Sequence, residues 1–484
     1  MISASEHQHP HNPNRFAVIP TPERLNAVSS YTGRGVTIAF LDSGFYPHPD
    51  LVSPTNRVAA YEDISGEYPS LESESASESW QWHGTQTTVA AAGNGSLSSG
   101  TYRGLASEAR LVLVKVSQSG RITEDNIAKG IRWIIENRQR YNIRVLNISL
   151  GGDEDIPCSK SEIDQAAEQA IREGIVVIVA AGNSGQEGKH SLPPANSPSV
   201  ITVGGYTDDN RLDARLDLYQ SNFGFTADGT LKPEVVAPAM WVAAPILPGT
   251  INYRRAEALS QLAGCFDYEL VALARKLAAP AELPKSVLSA DAATIRTFVE
   301  TVLREQKIVA AHYQHVDGTS FAAPIVSSIA AQMLEANPQL TPAAVKNILI
   351  TTAERINGLS LIRQGYGVVN ARRAIEAALV ETHDLTPLGC ESLKLSDGKV
   401  RFAYHNDTAQ SVALAGDFNN WDGTASKMMK DQKGLWTIEV GALAPGRYQY
   451  KFIIDGRDWV EDPDNGLKAP NNFGGLNSVL LIES

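Results

Sequence analysis

Asp317-Gly318-Thr319-Ser320-Phe321-Ala322-Ala323-Pro324 is a turn of small residues that presents one hydroxyl, Ser320, and runs straight into an apolar helix, Ile325-Val326-Ser327-Ser328-Ile329-Ala330-Ala331. A serine placed there sits at the positive end of the helix dipole, among backbone N–H groups that have no intrahelical acceptor. Those are the conditions under which a serine oxygen can attack and a developing oxyanion can be held. An N-capping serine looks the same locally, so the reading depends on what the rest of the chain brings to it.

Upstream, Val36-Thr37-Ile38-Ala39-Phe40-Leu41 is an unbroken apolar run, as expected of a strand buried on both faces, and it ends in Asp42-Ser43-Gly44. Open α/β sheets place their sites at such strand ends. Trp82-His83-Gly84-Thr85 then opens a helix of small residues, 89–93, whose Gly and Ala permit close packing. Strands at 111–116, 145–149, 175–180 and 200–203 alternate with helices at 123–138 and 161–173, which predicts a parallel sheet wrapped by helices. Two of the strand ends carry Ser149-Leu150-Gly151-Gly152 and Ala181-Gly182-Asn183-Ser184-Gly185, open backbone beside a cleft with one amide donor, Asn183. Residues 248–311 change to a helical pattern, and 67–78, rich in Ser and Glu, read as a solvated loop.

A chain of 484 residues exceeds one compact core. The spans expected are a polar tail at 1–20, an α/β domain at 21–380, a linker at 381–397 and a strand-rich domain at 398–484. A net charge of −12 without a basic run argues against nucleic-acid binding, and the absence of an 18-residue apolar run argues against a membrane span. Cys158, Cys265 and Cys390 are odd in number and far apart, which does not suggest a disulfide framework. With no signal-peptide core near Met1, these features point to the cytoplasm.

The order Asp42, His83, Ser320 is that of subtilisin, unlike chymotrypsin or the α/β-hydrolases. With Asn147-Ile148-Ser149-Leu150-Gly151 and Ala181-Gly182-Asn183 falling between them, residues 36 to about 375 resemble the subtilase family of serine peptidases. The resemblance implies an endopeptidase acting on proteins or peptides. Ser320 would be the nucleophile, His83 the base, Asp42 its orienting partner and Asn183 an oxyanion donor. It also implies that Ser149, Leu150 and Gly151 pair with an extended substrate, while Ala181 and Gly182 form the other wall of an apolar S1 pocket with Leu192 near its base. No cofactor is needed; structural calcium, common in the family, has no clear ligand cluster here, so the metal ligands stay unknown.

Two features depart from the secreted members. Few residues precede the first strand; Phe16-Ala17-Val18-Ile19-Pro20 reads as a strand or staple packed on the surface, and the alternative, from its similarity to the extension of intracellular subtilisins, is a tail that covers the cleft. The 248–311 segment is either a helical embellishment or a lid near the cleft rim.

Beyond 398, strands at 400–404, 411–415, 435–440, 448–455 and 479–482 predict an immunoglobulin-like β-sandwich. Leu414-Ala415-Gly416-Asp417-Phe418-Asn419-Asn420-Trp421 and Tyr448-Gln449-Tyr450-Lys451-Phe452 resemble the glycogen-binding domain of AMP-activated protein kinase and related starch-binding modules. By that resemblance Trp421, Lys451, Trp459 and Asn477 form a surface for glycogen or another α-glucan, while Trp436 belongs to the core. The rival expectation is a non-catalytic scaffold that presents a glycan- or protein-binding sandwich.

Overall fold

The computed structural model describes residues 8–9, 12–73, 80–154, 156–185 and 190–381, and, within 399–482, all but 432, 433, 442, 445, 464, 466, 467, 472 and 474. The expected linker therefore lies outside the described residues.

The central sheet has eight strands. In chain order they are β1 (Thr37–Asp42), β2 (Val58–Asp63), β3 (Arg110–Lys115), β4 (Ile143–Ile148), β5 (Val176–Ala180), β6 (Ile201–Thr207), β7 (Asp217–Leu218) and β8 (Val235–Pro238). They lie in the order β7-β6-β5-β4-β1-β3-β2, with β8 also paired to β6, and all neighbours are parallel except β6 with β7.

Strand alternation explains why β1 is apolar throughout. Ile38 and Phe40 enter one core with Val89, Phe321 and Ile325, whereas Ala39 and Leu41 enter the other with Ile127, Ile131 and Ile163. The first core is closed by α1 (Gln81–Ala92), which begins beside the end of β1. The second is closed by α2 (Glu124–Tyr141) and α3 (Glu162–Arg172), capped by Thr123 and Ser161.

Residues 248–311 are an embellishment with a core of its own. Its helices α4 (Ile251–Gly264), α5 (Asp267–Lys276), α6 (Lys285–Leu288) and α7 (Ala292–Glu305) bury Leu259, Leu262, Leu270, Ile295 and Val299 together. A three-stranded sheet ties it to the turn that carries Ser320, with Tyr313–Val316 central between Val242–Pro245 and Ile308–Ala310. Lys307, where the embellishment ends, pairs with Asp317. Helix α8 (Thr319–Ala336) then crosses the sheet.

The segment before the first sheet strand is packed, as the structural reading of residues 16–20 expected. Ala17, Val18 and Ile19 are buried; Asn210 clamps them through Ile19 N–H (2.8 Å) and Ala17 C=O (2.9 Å), and Phe16 packs on Trp241 and His315. Among the described residues these are structural contacts, and none of them reaches the Ser149–Gly151 edge. The loop at 67–78 is exposed at Glu67, Glu72 and Ser73 as expected, while Glu67 also joins Asp63 in holding the fully buried Lys115 ammonium, at 3.1 and 3.2 Å. Cys158 is disulfide-bonded, contrary to the expectation from cysteine number and spacing, while Cys265 is free. Disulfides persist in oxidising surroundings, so the cysteines no longer argue for a reducing compartment.

The carboxyl-terminal domain packs two antiparallel sheets around Phe402, Leu414, Trp436, Tyr450 and Phe452. One sheet has three strands, Val400–His405, Leu435–Val440 and Met429–Lys430; the other has five, built on Gly446–Ile454 and Leu476–Ile482. It meets the α/β domain where Arg355 pairs with Glu461 at 3.4 Å and the Lys468 ammonium stands 5.6 Å from the Tyr366 ring centre. Among the described residues no helix is long and apolar enough to cross a membrane.

Candidate active site

Asp42 arrives at the C-terminal end of β1, and His83 on the first turn of α1. They meet because Gly84 lets the helix lie flush on the strand end. A Cβ on Gly84 would stand 2.3 Å from the Gly44 carbonyl oxygen. His83 Nδ1 is 2.8 Å from Asp42 Oδ1, and the carboxylate is 1% exposed. Its other donors are Ser43 N–H (2.7 Å), Ser43 Oγ (3.2 Å) and Thr87 Oγ1 (3.2 Å). Burial by itself lowers the His83 pKa, but the Asp42 charge and hydrogen bond together outweigh it, and the net direction is up.

Ser320 is the second residue of α8, so its N–H has no acceptor within the helix. Pro324, four residues on, has no N–H to offer the Ser320 carbonyl. That carbonyl instead accepts from Ser149 Oγ at 3.0 Å, while Ser320 Oγ donates to the Ser149 carbonyl at 3.3 Å. Asn147 Nδ2 holds Ser149 Oγ at 3.0 Å, and Ser327 Oγ holds Asn147 Oδ1 at 3.0 Å.

Asn183 is oriented by the same turn. Its Oδ1 accepts from Thr319 N–H (2.9 Å) and Thr319 Oγ1 (3.1 Å), which leaves Nδ2 to face outward. Gly318 and Gly182 adopt φ values of +141° and +99°, and a Cβ on Gly182 would lie 2.6 Å from Asn222 Nδ2. Asp317 anchors the turn from below. Burial would raise its pKa, yet hydrogen bonds from His315, Lys307 and the Trp241 N–H hold it well below the usual carboxylate range. Gly152 N–H bonds the Pro193 carbonyl at 2.7 Å, which sets Leu192 beside the Ser149–Gly151 edge.

Asp42 and His83 are thus in direct contact, and Ser320 is joined to Ser149 and Asn183 through the turn. Sequence reasoning missed Thr87, which carries no motif, and missed the role of Thr319, which lies in the quoted turn but was given no contact there. It also missed the hairpin Ser117–Gln118/Arg121–Ile122, which follows β3 and is braced by Glu67 bonding Ser119 N–H at 2.9 Å. The Gly120 in that hairpin was a usable signal.

On the sandwich, Lys451, Ile453 and Gln449 alternate with the core residues Tyr450 and Phe452 and so share the outer face. Trp459 pairs with Ile453 and stacks on Trp421 at 6.4 Å and 29°; Asn477 Nδ2 bonds Gln449 at 3.0 Å. The four expected residues therefore lie on one face. Phe473, 94% exposed on the turn held by Asn471, was missed, since a lone aromatic in a loop carries no pattern. Trp436 is buried as expected.

Among the described residues the buried carboxylate nearest the first motif is already partnered. Asp50, the buried carboxylate after the first motif, has Oδ1 met by Ser96 Oγ (2.9 Å) and Leu97 N–H (3.2 Å) and Oδ2 by the Tyr313 hydroxyl (2.6 Å). Among the described residues no group of three or more His, Cys, Asp or Glu is placed to hold a metal ion.

The Subtilase family model matches residues 33–367. The chain belongs to the subtilase family. A relative, Serine protease AprX of Bacillus subtilis (strain 168), is 31% identical over 352 residues, 71% of this chain and 67% of the relative. M-protease of Shouchella clausii (strain KSM-K16) is 27% identical over 346 residues, 71% of this chain and 65% of that one. The chain thus spans about two thirds of the length of these subtilases. Fervidolysin from Fervidobacterium pennivorans, described as a keratinolytic enzyme related to subtilisin, superposes with a TM-score of 0.50 at 19% identity, covering 89% of this chain and 55% of that one; it speaks for the shared fold. A second model, Carbohydrate-binding module 48 (Isoamylase N-terminal domain), matches residues 387–470, over the antiparallel domain that follows the subtilase domain.

Proposed function

We propose that this subtilase is a serine endopeptidase whose triad is Asp42, His83 and Ser320. The observation that carries the reading is the 2.8 Å contact of His83 Nδ1 with the buried Asp42. It fixes the tautomer and leaves Nε2 as the acceptor for the serine proton. Ser320 Oγ, resting on the Ser149 carbonyl, turns to His83 when substrate enters; such bonds tighten only in the complex. His83 takes the proton as Oγ attacks the peptide carbonyl and returns it to the leaving amine. Asn183 Nδ2 and the Ser320 N–H hold the oxyanion, and losing one such donor costs about 10²–10³ in kcat. Ser149, Leu150 and Gly151 pair with the substrate backbone on one side; Ala181, Gly182 and Leu192 bound an apolar S1 pocket. Fluorophosphonate labelling of wild type and Ser320→Ala tests the assignment, and equal labelling would refute both it and the triad.

We further propose that the sandwich binds an α-glucan such as glycogen through Trp421, Trp459, Lys451 and Asn477, extended by Phe473. The stacked indoles supply an apolar platform for sugar faces, the Lys451 ammonium reaches hydroxyls, and Asn477, bonded to Gln449, braces the same face. Maltoheptaose titration of wild type against Trp421→Ala and Trp459→Ala checks it. Equal, negligible binding would leave the docking seen at Arg355–Glu461 as the domain's role.

A further inference from the structure

The first turn of α1 holds a large apolar side chain that the fold does not bury. Gln81 and every residue from Gly84 to Ala92 are buried, yet Trp82 is 43% exposed. Its ring meets the His83 imidazole edge-on, with centroids 5.3 Å apart and planes at 83°. Phe321 approaches the same imidazole at 6.0 Å and is 3% exposed. Of the two aromatic neighbours of His83, one is core and the other faces solvent at the cleft. Trp82 cannot turn inward, because the other side of the helix start is flush with the Gly44 carbonyl.

We propose that Trp82 is a specificity-determining residue that receives an apolar side chain on the leaving-group side of the scissile bond. The inference rests on the triad reading above. Trp80, the N-cap residue of α1 with helical dihedrals, has its ring 3.1 Å from where a Cβ on Gly120 would stand and so faces the Ser117–Ile122 hairpin. Residues two apart on a helix point about 200° apart. Trp82 therefore points away from that hairpin and lies against His83. His83 must reach the leaving amine to protonate it, and the first side chain of the leaving peptide branches from the carbon bonded to that nitrogen, which puts it on the leaving-group side. An exposed indole beside that position gains contact area when a Phe or Leu side chain covers it, and a Ser or Asp gains none.

The full chain, Trp82→Ala and Trp82→Phe are compared on three substrate sets. The first is internally quenched peptides differing only in the residue after the scissile bond: Phe, Leu, Ser or Asp. The second varies the residue two before it, and the third is a peptide p-nitroanilide with no residue after the bond. We expect Trp82→Ala to lower kcat/KM for the Phe and Leu peptides about tenfold relative to Ser and Asp, mainly through KM. Trp82→Phe keeps the preference. An equal loss on all substrates, the nitroanilide included, would mean that Trp82 acts only through His83 and overturns the inference, as would a changed preference two residues before the bond. Wild type inactive on every substrate overturns the triad reading and this inference with it, an outcome distinct from the others.

Discussion

Ser149 and Ser320 are bonded reciprocally: the Ser149 hydroxyl donates to the Ser320 carbonyl at 3.0 Å, and the Ser320 hydroxyl donates to the Ser149 carbonyl at 3.3 Å. The pair exists because Pro324 withdraws the helix's own donor from the Ser320 carbonyl. It locks the turn that carries Ser320 to the Ser149–Gly151 edge. In Ser149→Ala the carbonyl loses its donor, at a cost of about 1 kcal/mol. In Pro324→Ala a new N–H competes for it and draws Ser320 toward regular helix. Each single variant is expected to lower kcat more than it raises KM. In the double variant the backbone N–H gained through Pro324→Ala replaces the donor lost with the Ser149 hydroxyl, so the stability loss is smaller than the sum of the singles. Additive denaturation midpoints across the cycle would contradict the shared carbonyl.

The pH dependence follows from His83. Its pKa lies above the ordinary 6.5 through Asp42, and only the neutral imidazole can take the serine proton. The acidic limb of kcat/KM is expected above pH 6.5, with Asp42→Asn moving it down while lowering kcat about 10⁴-fold. The same raised pKa stabilises the fold fully below the unfolded value, and that contribution fades as pH rises through the folded one. A limb unchanged in Asp42→Asn would dissociate the two residues.

In the S1 pocket proposed above, Leu192, next in sequence to the Pro193 carbonyl that Gly152 N–H holds, would limit the depth and favour Ala, Val or Leu before the scissile bond. Leu192→Gly is expected to raise kcat/KM for Phe relative to Ala there by about tenfold. Cleavage-site profiling of the two proteins on one peptide library reads this directly.

Asp164, in α3, is 0% exposed, and burial pushes its carboxyl up to about 7. Both oxygens lack a hydrogen-bond partner. The folded state therefore favours the protonated form, and stability is lost as pH climbs from the unfolded value of 3.8 through about 7. Asp164→Asn removes that loss. Its Tm should match wild type near pH 4 and exceed it at pH 8, by roughly 1–3 kcal/mol in stability terms. A difference independent of pH would show that Asp164 is not the titrating group.

The amino-acid sequence by itself settled the elements whose causes are local. The two-face apolar run of β1, the helix-opening His83 and the small-residue turn before Ser320 each state their structure within a few residues, as do the sandwich strands. The order of Asp42, His83 and Ser320 named the family. Tertiary structure alone decided which partners those groups take. Nothing near Ser320 in sequence marks Ser149 as its partner, 171 residues away. Nothing near Lys115 says that its ammonium is buried between Asp63 and Glu67, or near Val18 that it is sealed into the core instead of lying over the cleft. Periodicity and capping are properties of a short segment, whereas these contacts exist only once helix and sheet have packed and every buried polar group has had to find a donor or acceptor within reach.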